Sequence, residues 1–298
     1  MRVLVLGAAA DQGLPLIGAL KAAELEPVAG LRRPDAMAST AHSDVATTPA
    51  DLERSESLAA AMSGCDALAM HLPFTFDRAQ AGRWGADIAS AARQAGIAKI
   101  VFNTSCYVAP QDIGVTGHDG RRDIIAAIAG SGVPYAIIEP VVFMDNIVRP
   151  WSMPSIARNG VFAYPAAETL RISWVAIDDV AAAMVAALRD NSLTDARIPL
   201  GGPEALTGQE VASVLSDAVG HDVRFQSLSP DRFAADMSAL VNGSPDVQPH
   251  SIYAGMAAMY AWYNAQPVSP LATEPAALPV DVPLTPLRDW ALRQNWQS

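Results

Sequence analysis

Lysine is almost absent from this chain of 298 residues, in which only Lys21 and Lys99 occur. Neither lysine has a tyrosine four residues before it. This excludes a Tyr-x-x-x-Lys pair, in which the ammonium group lowers the pKa of the phenol so that the phenol can exchange a proton. Any proton that the chain delivers must come from another group.

Cysteine and histidine are also scarce. Cys65 and Cys106 are isolated and form no C-x-x-C spacing, which excludes a zinc–thiolate site and argues against a structural disulfide. The five histidines form no H-x-x-x-H or H-E-x-x-H pair. We therefore predict that the chain binds no metal ion.

Positive charge and long apolar runs are lacking as well. The formal net charge of −11 argues against nucleic acid or an anionic membrane as a partner. No uncharged apolar run is long enough to span a bilayer, and charged residues interrupt the N-terminal segment, which does not resemble a signal peptide. We expect a soluble cytoplasmic protein, monomeric or homodimeric, whose partner is a small-molecule substrate.

The N-terminus carries the strongest positive signal. An apolar strand over residues 2–6 runs into a turn with small residues at positions 7, 10 and 13, and an apolar helix pattern follows. Free amide groups and the helix dipole converge at such a turn and bind phosphate. The alternative is an ordinary tight turn. The predicted cofactor contacts in the turn are Gly7, Ala9, Ala10, Asp11, Gln12 and Gly13.

The second strand, predicted over residues 27–31, ends in arginines. Arg32 and Arg33 stand where an acidic residue would hold the ribose hydroxyls of NAD. Guanidinium groups suit a ribose 2′-phosphate, so we predict that the cofactor is NADP(H). A solvated surface turn is the alternative.

Strand and helix signals alternate along the first half of the chain, which is typical of a parallel sheet built from βαβ units. The predicted fold class is α/β, a doubly wound, Rossmann-like parallel sheet with a smaller mixed C-terminal lobe. Residues 1–142 are assigned to the dinucleotide-binding domain and residues 143–298 to a substrate-covering lobe. Strands predicted at 172–177 and 197–200 are expected to join or flank the sheet.

The C-terminal half shows caps, a stripe and a proline-rich segment. Thr207 and Glu210 have the spacing of a helix-capping pair. Aromatic and methionine residues over 252–263 predict a helix that packs in the core or covers a site. Six prolines between positions 264 and 286 predict an extended strap, after which Thr285 is expected to cap a final helix.

Several short segments carry a family resemblance, which lies in the whole set and its order. They are residues 7–13, Leu31-Arg32-Arg33, Asp51-Leu52 with Ser57-Leu58, residues 131–135 with Pro140, Phe143-Met144-Asp145-Asn146, residues 175–181 and residues 201–207. Together they resemble the NmrA-like group of atypical short-chain dehydrogenases/reductases over about residues 1–225, and the closing stretch 285–290 also fits.

The resemblance implies an NAD(P)-binding Rossmann-like domain in a protein that is either a reductase or a redox-sensing regulator. It also implies positions for individual residues along the cofactor and around the pocket. These are Asp51 and Leu52 at the adenine, His71, Leu72 and Pro73 along the cofactor, Thr104 and Ser105 near the nicotinamide, and Pro140 and Phe143 at the border of the pocket.

The residues that follow the predicted fifth strand supply the proton-donor candidates, which are His118, Tyr107 and Ser105. A histidine titrates near neutral pH, whereas the alternative for His118 is a polar residue just before a helix capped by Asp119. The alternative for Tyr107 is a packed aromatic residue. Cys106 is expected to be a buried, inert thiol.

Two charged residues are expected beside the pocket. Arg121 stands where the family often has lysine, and it can hold ribose hydroxyls or a carboxylate but cannot donate a proton at neutral pH. Glu139 is expected to pair with Arg121 or Arg122, the alternatives being a substrate contact or a base. The predicted apolar lining of the substrate pocket is Phe74, Phe143, Met144 and Trp151.

Three functions remain open on this sequence. The first is an NADPH-dependent reductase of a small apolar carbonyl compound, quinone or enone, because such electrophiles need little proton assistance. The second is a dinucleotide-sensing regulator with little catalysis, which the missing lysine favours. The third is an isomerase or lyase that uses the same pocket.

Overall fold

The computed structural model describes residues 1–274 and 281–296, so the strap predicted over 264–286 lies partly outside the described residues. The strands are β1 (Arg2–Leu6), β2 (Glu26–Leu31), β3 (Ala46–Pro49), β4 (Ala67–His71), β5 (Lys99–Asn103), β6 (Tyr135–Pro140), β7 (Val161–Tyr164), β8 (Ala196–Leu200) and β9 (Arg224–Ser227). The α-helices are α1 (Gly13–Ala22), α2 (Ser55–Met62), α3 (Arg78–Ala95), α4 (Thr116–Ala129), α5 (Met153–Asn159), α6 (Ile177–Arg189), α7 (Gly208–Val219), α8 (Pro230–Asn242), α9 (Ile252–Asn264) and α10 (Leu287–Leu292). Two 3₁₀ helices cover Pro34–Met37 and Met144–Val148.

Seven parallel strands form the main sheet, in the order β3-β2-β1-β4-β5-β6-β8. Helices cover both faces, which is why strands such as β4 are buried along their whole length. The strand order changes direction between β1 and β4, and ligands of such sheets bind at the carboxyl ends of the strands at this point. The predicted Rossmann-like α/β fold is confirmed.

Each face of the sheet carries its own hydrophobic cluster. Leu16 and Ile17 of α1 pack with Met184 of α6 on one face. Ile88 of α3 packs on the other face, and its cluster continues as far as Phe162 of β7, which pairs with β9 in a separate two-stranded sheet. We call this small sheet, together with the chain after β6 that packs around it, the lobe. Because a fully buried Ile or Phe side chain stabilises a fold by roughly 1.5–3 kcal/mol, this shared core fixes the lobe on the sheet.

The predicted strand at 172–177 is wrong. Its residues form two isolated bridges, Ile172 with Leu206 and Val175 with Phe143, and α6 already begins at Ile177. The apolar pattern of this segment reflects burial between the lobe and the sheet. In contrast, the strand predicted at 197–200 is β8, which pairs with β6 at the edge of the main sheet.

Some of the segments that carry the family resemblance join the lobe to the sheet. Asp145 accepts a hydrogen bond from the Ile177 amide at the start of α6 (3.1 Å). Asp179 accepts two from Thr285, from its amide (2.7 Å) and its hydroxyl (2.8 Å). Thr285 is therefore not the helix cap that we expected, because its hydroxyl is used by Asp179, and Pro286 occupies the N-cap of α10.

Two other predictions for the C-terminal half are confirmed. Thr207 and Glu210 form a capping box at the start of α7. Residues 252–264 form α9, which packs against α4 and α8. Within the two described ranges, no helix is both long and apolar enough to cross a membrane.

Candidate functional site

A cavity of about 570 Å³ opens at the carboxyl ends of β1, β2 and β4, and we call it the larger cavity. It brings together residues that were predicted from four separate segments of the sequence. Among its lining residues are Gly7, Ala9, Ala10, Arg32, Arg33, Asp51, Leu52, His71, Leu72 and Pro73.

The turn after β1 has no room for side chains at two positions. Gly7 adopts φ +84°, and a Cβ atom on it would lie 2.6 Å from Nε2 of His71. A Cβ atom on Gly13 would lie 2.2 Å from the carbonyl oxygen of Gly7. Ala10 is not among the residues with positive φ, so alanine at this position causes no strain. The turn leaves its backbone open to the larger cavity and fits a diphosphate.

His71 holds the glycine-rich turn through a hydrogen bond. Its Nε2 atom lies 3.0 Å from the Gly7 carbonyl oxygen. Since a carbonyl oxygen only accepts, Nε2 carries the proton. Burial lowers the pKa of His71 to about 4, so the ring is neutral at physiological pH. The histidine therefore holds the glycine turn in addition to bordering the cavity.

Charged and polar side chains also line the larger cavity. Arg32 and Arg33 are exposed and line its rim, where they can meet an anionic group. Glu53 accepts hydrogen bonds from Trp84 Nε1 (2.8 Å) and Gln80 Nε2 (2.9 Å), and all three residues line the cavity. These last three were not predicted, because Gln80 and Trp84 reach Glu53 only when α3 packs against α2 and the turn that precedes it.

A second cavity, of about 230 Å³, lies beyond the ends of β5 and β6, and we call it the smaller cavity. No residue with a formal charge is among its described lining residues. The aromatic and methionine stripe of α9 therefore covers a site as well as packing in the core. The lining comprises Gln12, Phe74, Phe76, Ser105, Cys106, Val141, Val142, Phe143, Asn146, Ile252, Met256, Met259, Tyr260 and Tyr263.

A small hydrogen-bond network stands between the two cavities. Gln12, in the same turn as the lining residues of the larger cavity, accepts hydrogen bonds from Asn103 Nδ2 (2.8 Å) and Ser105 Oγ (3.1 Å). The Asn103 side chain in turn accepts from the Ser105 amide (2.8 Å) and holds Ser105 at φ +62°. Asn103 was not predicted, although its place at the end of a buried strand is a signal for a site residue.

His118, a candidate proton donor, lies outside the described linings of both cavities. It is fully buried between the rings of Tyr107 (5.8 Å), Trp262 (5.8 Å) and Tyr263 (5.3 Å). Within the described chain, neither ring nitrogen makes a hydrogen bond of regular geometry. Burial lowers the pKa of His118 to about 4, and the backbone of Tyr107 opposes this shift only in part. This histidine is neutral and lies behind Tyr263, which lines the smaller cavity.

The cap predicted beside His118 is also corrected. Helix α4 begins at Thr116, so His118 and Asp119 lie in its first turn. The Asp119 carboxylate accepts hydrogen bonds from the Ile113 amide (3.2 Å) and the Gly114 amide (3.1 Å). It therefore fastens the preceding loop and does not cap the helix.

The candidates next to β5 have different surroundings. Tyr107 stacks on Trp262, with ring centroids 6.1 Å apart, and lines neither cavity. Thr104 is fully buried, and its hydroxyl donates to the Cys106 carbonyl (2.6 Å). Cys106 borders the smaller cavity, but burial raises the pKa of its thiol to about 12, so the thiol stays protonated. Ser105 is the predicted catalytic residue that does reach the smaller cavity.

Arg121 holds the loop that follows β4. Its Nη2 donates to the carbonyl oxygens of Leu72 (2.6 Å) and Pro73 (3.1 Å), and its guanidinium lies 4.7 Å from the ring centre of Phe74. Burial lowers the pKa of Arg121 to about 10, which leaves it charged at neutral pH. Arg121 lines neither cavity, but it holds residues that do.

Glu139 does not pair with Arg121 or Arg122. It binds Arg197 of β8 through two hydrogen bonds, to Nε (2.5 Å) and Nη2 (2.8 Å). Strand β8 lies next to β6, and this brings Arg197 directly beside the carboxylate. The ion pair joins the edge strand β8 to β6. Glu139 is not among the described lining residues of either cavity.

The remaining predicted residues divide between core and surface. Met144 is buried in the core, Trp151 is 37% exposed, and Pro140 is buried at the end of β6. None of these three lines either cavity. Asp11 of the glycine turn forms an ion pair with Arg149 of the lobe (2.7 Å), so this turn is linked to the lobe.

Both lysines lie away from the cavities. Lys21 pairs with Asp44 (2.7 Å), and Lys99 donates to the Asp190 carbonyl oxygen (2.8 Å) at the start of β5, opposite the site. In residues 1–274 and 281–296, no three His, Cys, Asp or Glu side chains are grouped so that they could hold a metal ion.

Comparison with known proteins identifies the family. The model of the NmrA-like family matches residues 1–280. The chain belongs to the NmrA-like family. The family match extends beyond the 225 residues over which the resemblance was visible, and it includes α8 and α9, which complete the smaller cavity.

Proteins described as reductases and as a regulator resemble this chain. An NAD(P)H azoreductase from Xenophilus azovorans is 29% identical over 248 residues, which are 82% of each chain. The crystal structure of a Citrobacter sp. triphenylmethane reductase complexed with NADP(H) has a TM-score of 0.79 at 20% identity and covers 98% of this chain and 99% of the other. NmrA, a negative transcriptional regulator in complex with NADP, has a TM-score of 0.65 at 18% identity, with 76% and 74% covered.

Proposed function

We propose that this chain is an NADPH-dependent reductase that transfers hydride to a small, apolar, planar electrophile. The substrate class comprises quinones, enones, aromatic carbonyl compounds and azo compounds. The arrangement of the two cavities carries this proposal, because one glycine-rich turn borders both of them. The resemblance to an azoreductase and a triphenylmethane reductase supports it.

The larger cavity has the groups that NADPH requires. The Gly7–Gly13 turn would hold the diphosphate, and Arg32 and Arg33 would hold the 2′-phosphate through charge-assisted hydrogen bonds. Leu52 would contact the adenine. The nicotinamide, which supplies hydride when the cofactor is bound, would lie near Gln12 at the entrance of the smaller cavity.

The smaller cavity selects the substrate by its lack of charge. A carboxylate or sulfonate would lose hydration there without meeting a counter-ion, which is costly in an apolar site. Flat aromatic substrates can stack on walls such as Phe74, Phe76 and Phe143, which also orient the ring. The protein supplies orientation and exclusion of water, and the cofactor supplies the redox chemistry.

The test follows absorbance of the reduced nicotinamide while NADPH is mixed with matched acceptors. We expect saturable NADPH oxidation with 1,4-naphthoquinone and at least about tenfold lower kcat/KM with its 2-sulfonate, since one buried unpaired charge costs several kcal/mol. Equal activity with both compounds would contradict the substrate class. No oxidation with quinones, azo dyes or enones would contradict the reductase itself.

A regulatory function is the second candidate, and the likeness to the NmrA regulator favours it. A sensor would bind NADPH or NADP⁺ in the larger cavity and respond by changing its affinity for another protein. Such a protein would bind the cofactor tightly and show no turnover with any acceptor. The same mixing experiment therefore separates the two functions.

A further inference from the structure

A chain of polar groups ends at the wall of the smaller cavity. Tyr260 of α9 lines this cavity, and its hydroxyl oxygen lies 2.6 Å from that of Tyr164 in β7. The side chain of Asn146, which also lines the cavity, hydrogen-bonds to Tyr164. Three side chains from the 3₁₀ helix after β6, from β7 and from α9 are thus connected in series.

The hydrogen bond between the two tyrosines leaves one hydroxyl proton available. Either oxygen can be the donor in the pair. When a hydrogen-bond acceptor enters the cavity, the pair can adopt the arrangement in which Tyr164 donates to Tyr260 and Tyr260 donates to the ligand. Both rings are buried, and burial raises the pKa of Tyr164 to about 12 and that of Tyr260 well above 10. Both phenols therefore keep their protons at neutral pH and act as donors.

Several other polar side chains near the smaller cavity have different surroundings. The Ser105 hydroxyl donates to Gln12 (3.1 Å). His118 and Tyr107 are packed behind the wall, and Tyr263 is wedged between the rings of His118 (5.3 Å) and Tyr260 (5.7 Å). Tyr260 differs from them because it lines the cavity and its hydroxyl is hydrogen-bonded to a second hydroxyl, that of Tyr164. The Tyr164 hydroxyl can resupply a proton that Tyr260 gives away.

We propose that Tyr260 binds the electronegative atom of the substrate and is its proton donor, with Tyr164 as a positioning residue. This inference rests on the proposed reductase function. The substrate accepts a hydride, and its π electrons move onto the oxygen or nitrogen that faces Tyr260. That atom takes the Tyr260 proton as the phenol O–H bond breaks. Tyr260 takes the proton of Tyr164, and water returns a proton to Tyr164 after product release.

The first test is binding without cofactor, so that it does not depend on catalysis. Calorimetric titrations compare 1,4-naphthoquinone with naphthalene, which has the same fused rings but no acceptor atom. We expect Tyr260→Phe to weaken naphthoquinone binding about 3- to 10-fold, as the loss of one neutral hydrogen bond does, and to leave naphthalene binding within about twofold. The control is Tyr253→Phe, on the same helix but outside the cavity lining, which we expect to change neither affinity.

The second test is turnover. We expect Tyr260→Phe to lower kcat at least about tenfold with an aromatic ketone, because a positioned acid is worth about 10²- to 10⁴-fold, and Tyr164→Phe to lower kcat with little change in naphthoquinone affinity. Equal loss of naphthoquinone and naphthalene binding would overturn the proposal, as would a ketone kcat that Tyr260→Phe leaves unchanged or that only Tyr263→Phe reduces. If the wild type has no reductase activity, the proposed function fails, and the binding comparison still tests the Tyr260 contact by itself.

Discussion

The two cavities are built in different ways. The larger cavity is formed by backbone turns and strand ends that lie close to β1, and the turn leaves no room for a Cβ atom at Gly7 or Gly13. The smaller cavity is formed by side chains from the ends of β5 and β6 and from α9, which is more than 100 residues further along the chain. Cofactor binding and substrate binding should therefore be separable by mutation.

This difference explains how each cavity tolerates sequence change. A backbone cradle depends on a few glycines and accepts no substitution there, because even a Cβ atom meets backbone. A wall of aromatic and methionine side chains can be repacked without loss of the fold, and this can change the substrate. A cofactor half that tolerates few substitutions and an adaptable substrate half are compatible with the likeness of this fold to a reductase and to a regulator.

The largest expected effect is on NADPH binding and comes from filling the space inside the Gly7–Gly13 turn. Gly13→Ala places a methyl group against the Gly7 carbonyl oxygen, so we expect calorimetric NADPH binding to be lost while naphthoquinone binding changes little. Gly18→Ala, on the same helix with space for a Cβ atom 3.6 Å from His42, is the matched control and should bind NADPH normally. Loss of both ligands in a variant that still shows the helical circular dichroism of the wild type would show that the cavities are not separable.

The second prediction tests whether the protein prefers NADPH to NADH. Arg32→Ala/Arg33→Ala should weaken NADPH by about 1.5–3 kcal/mol for each charge-assisted bond lost and leave NADH nearly unchanged, since NADH lacks the 2′-phosphate. Arg83→Ala/Arg93→Ala removes the same charge from exposed positions of α3 and serves as the control. Titration calorimetry with both nucleotides gives the comparison. Equal losses for the two nucleotides would place the 2′-phosphate elsewhere.

The stability of the folded protein should depend on pH through His118, which is packed behind the smaller cavity. The pKa of His118 is about 4 in the folded protein and about 6.5 when unfolded, so its contribution is fully present above pH 6.5 and is lost as pH falls toward 4. At pH 5 this loss is about 2 kcal/mol. We expect urea unfolding of His118→Leu to show a correspondingly smaller drop in stability between pH 7 and pH 5. His71 contributes similarly in both proteins. An identical pH dependence for the variant and the wild type would mean that His118 titrates normally.

The smallest expected effect comes from filling the smaller cavity. Met256→Trp should lower kcat/KM for naphthoquinone about tenfold by overfilling the space, with the Kd of NADPH within about twofold of the wild type. Met256→Leu, which conserves volume, is the control and should retain activity. An unchanged kcat/KM for Met256→Trp would place the substrate outside this cavity.

The sequence was most informative where structure is local. The Gly7–Gly13 turn, Arg32 and Arg33 could be located because a strand, a turn and a helix follow one another directly, and the Thr207–Glu210 cap depends on four consecutive residues. The parallel sheet also followed from the alternation of strands and helices, whereas the order of its strands was not predicted.

Predictions failed where partners come from distant segments. Glu139 was assigned to nearby arginines, but its partner Arg197 reaches it only because β8 pairs with β6. The 172–177 segment has the apolar composition of a strand, yet it is buried as a connection between the lobe and the sheet. The surroundings of His118 also depend on a distant segment, because the packing of α9 against α4 encloses it in aromatic rings, and its role as a proton donor stays a prediction. Periodicity and spacing contain no information on such contacts.

The most direct test of the two-cavity reductase is NADPH oxidation by 1,4-naphthoquinone, measured in the wild type, Gly13→Ala and Met256→Trp under identical conditions. We expect saturable oxidation in the wild type, none in Gly13→Ala because the cofactor is not held, and slow oxidation in Met256→Trp with NADPH still bound. Tight NADPH binding by the wild type without oxidation of NADPH by any acceptor would contradict the reductase and favour the sensor.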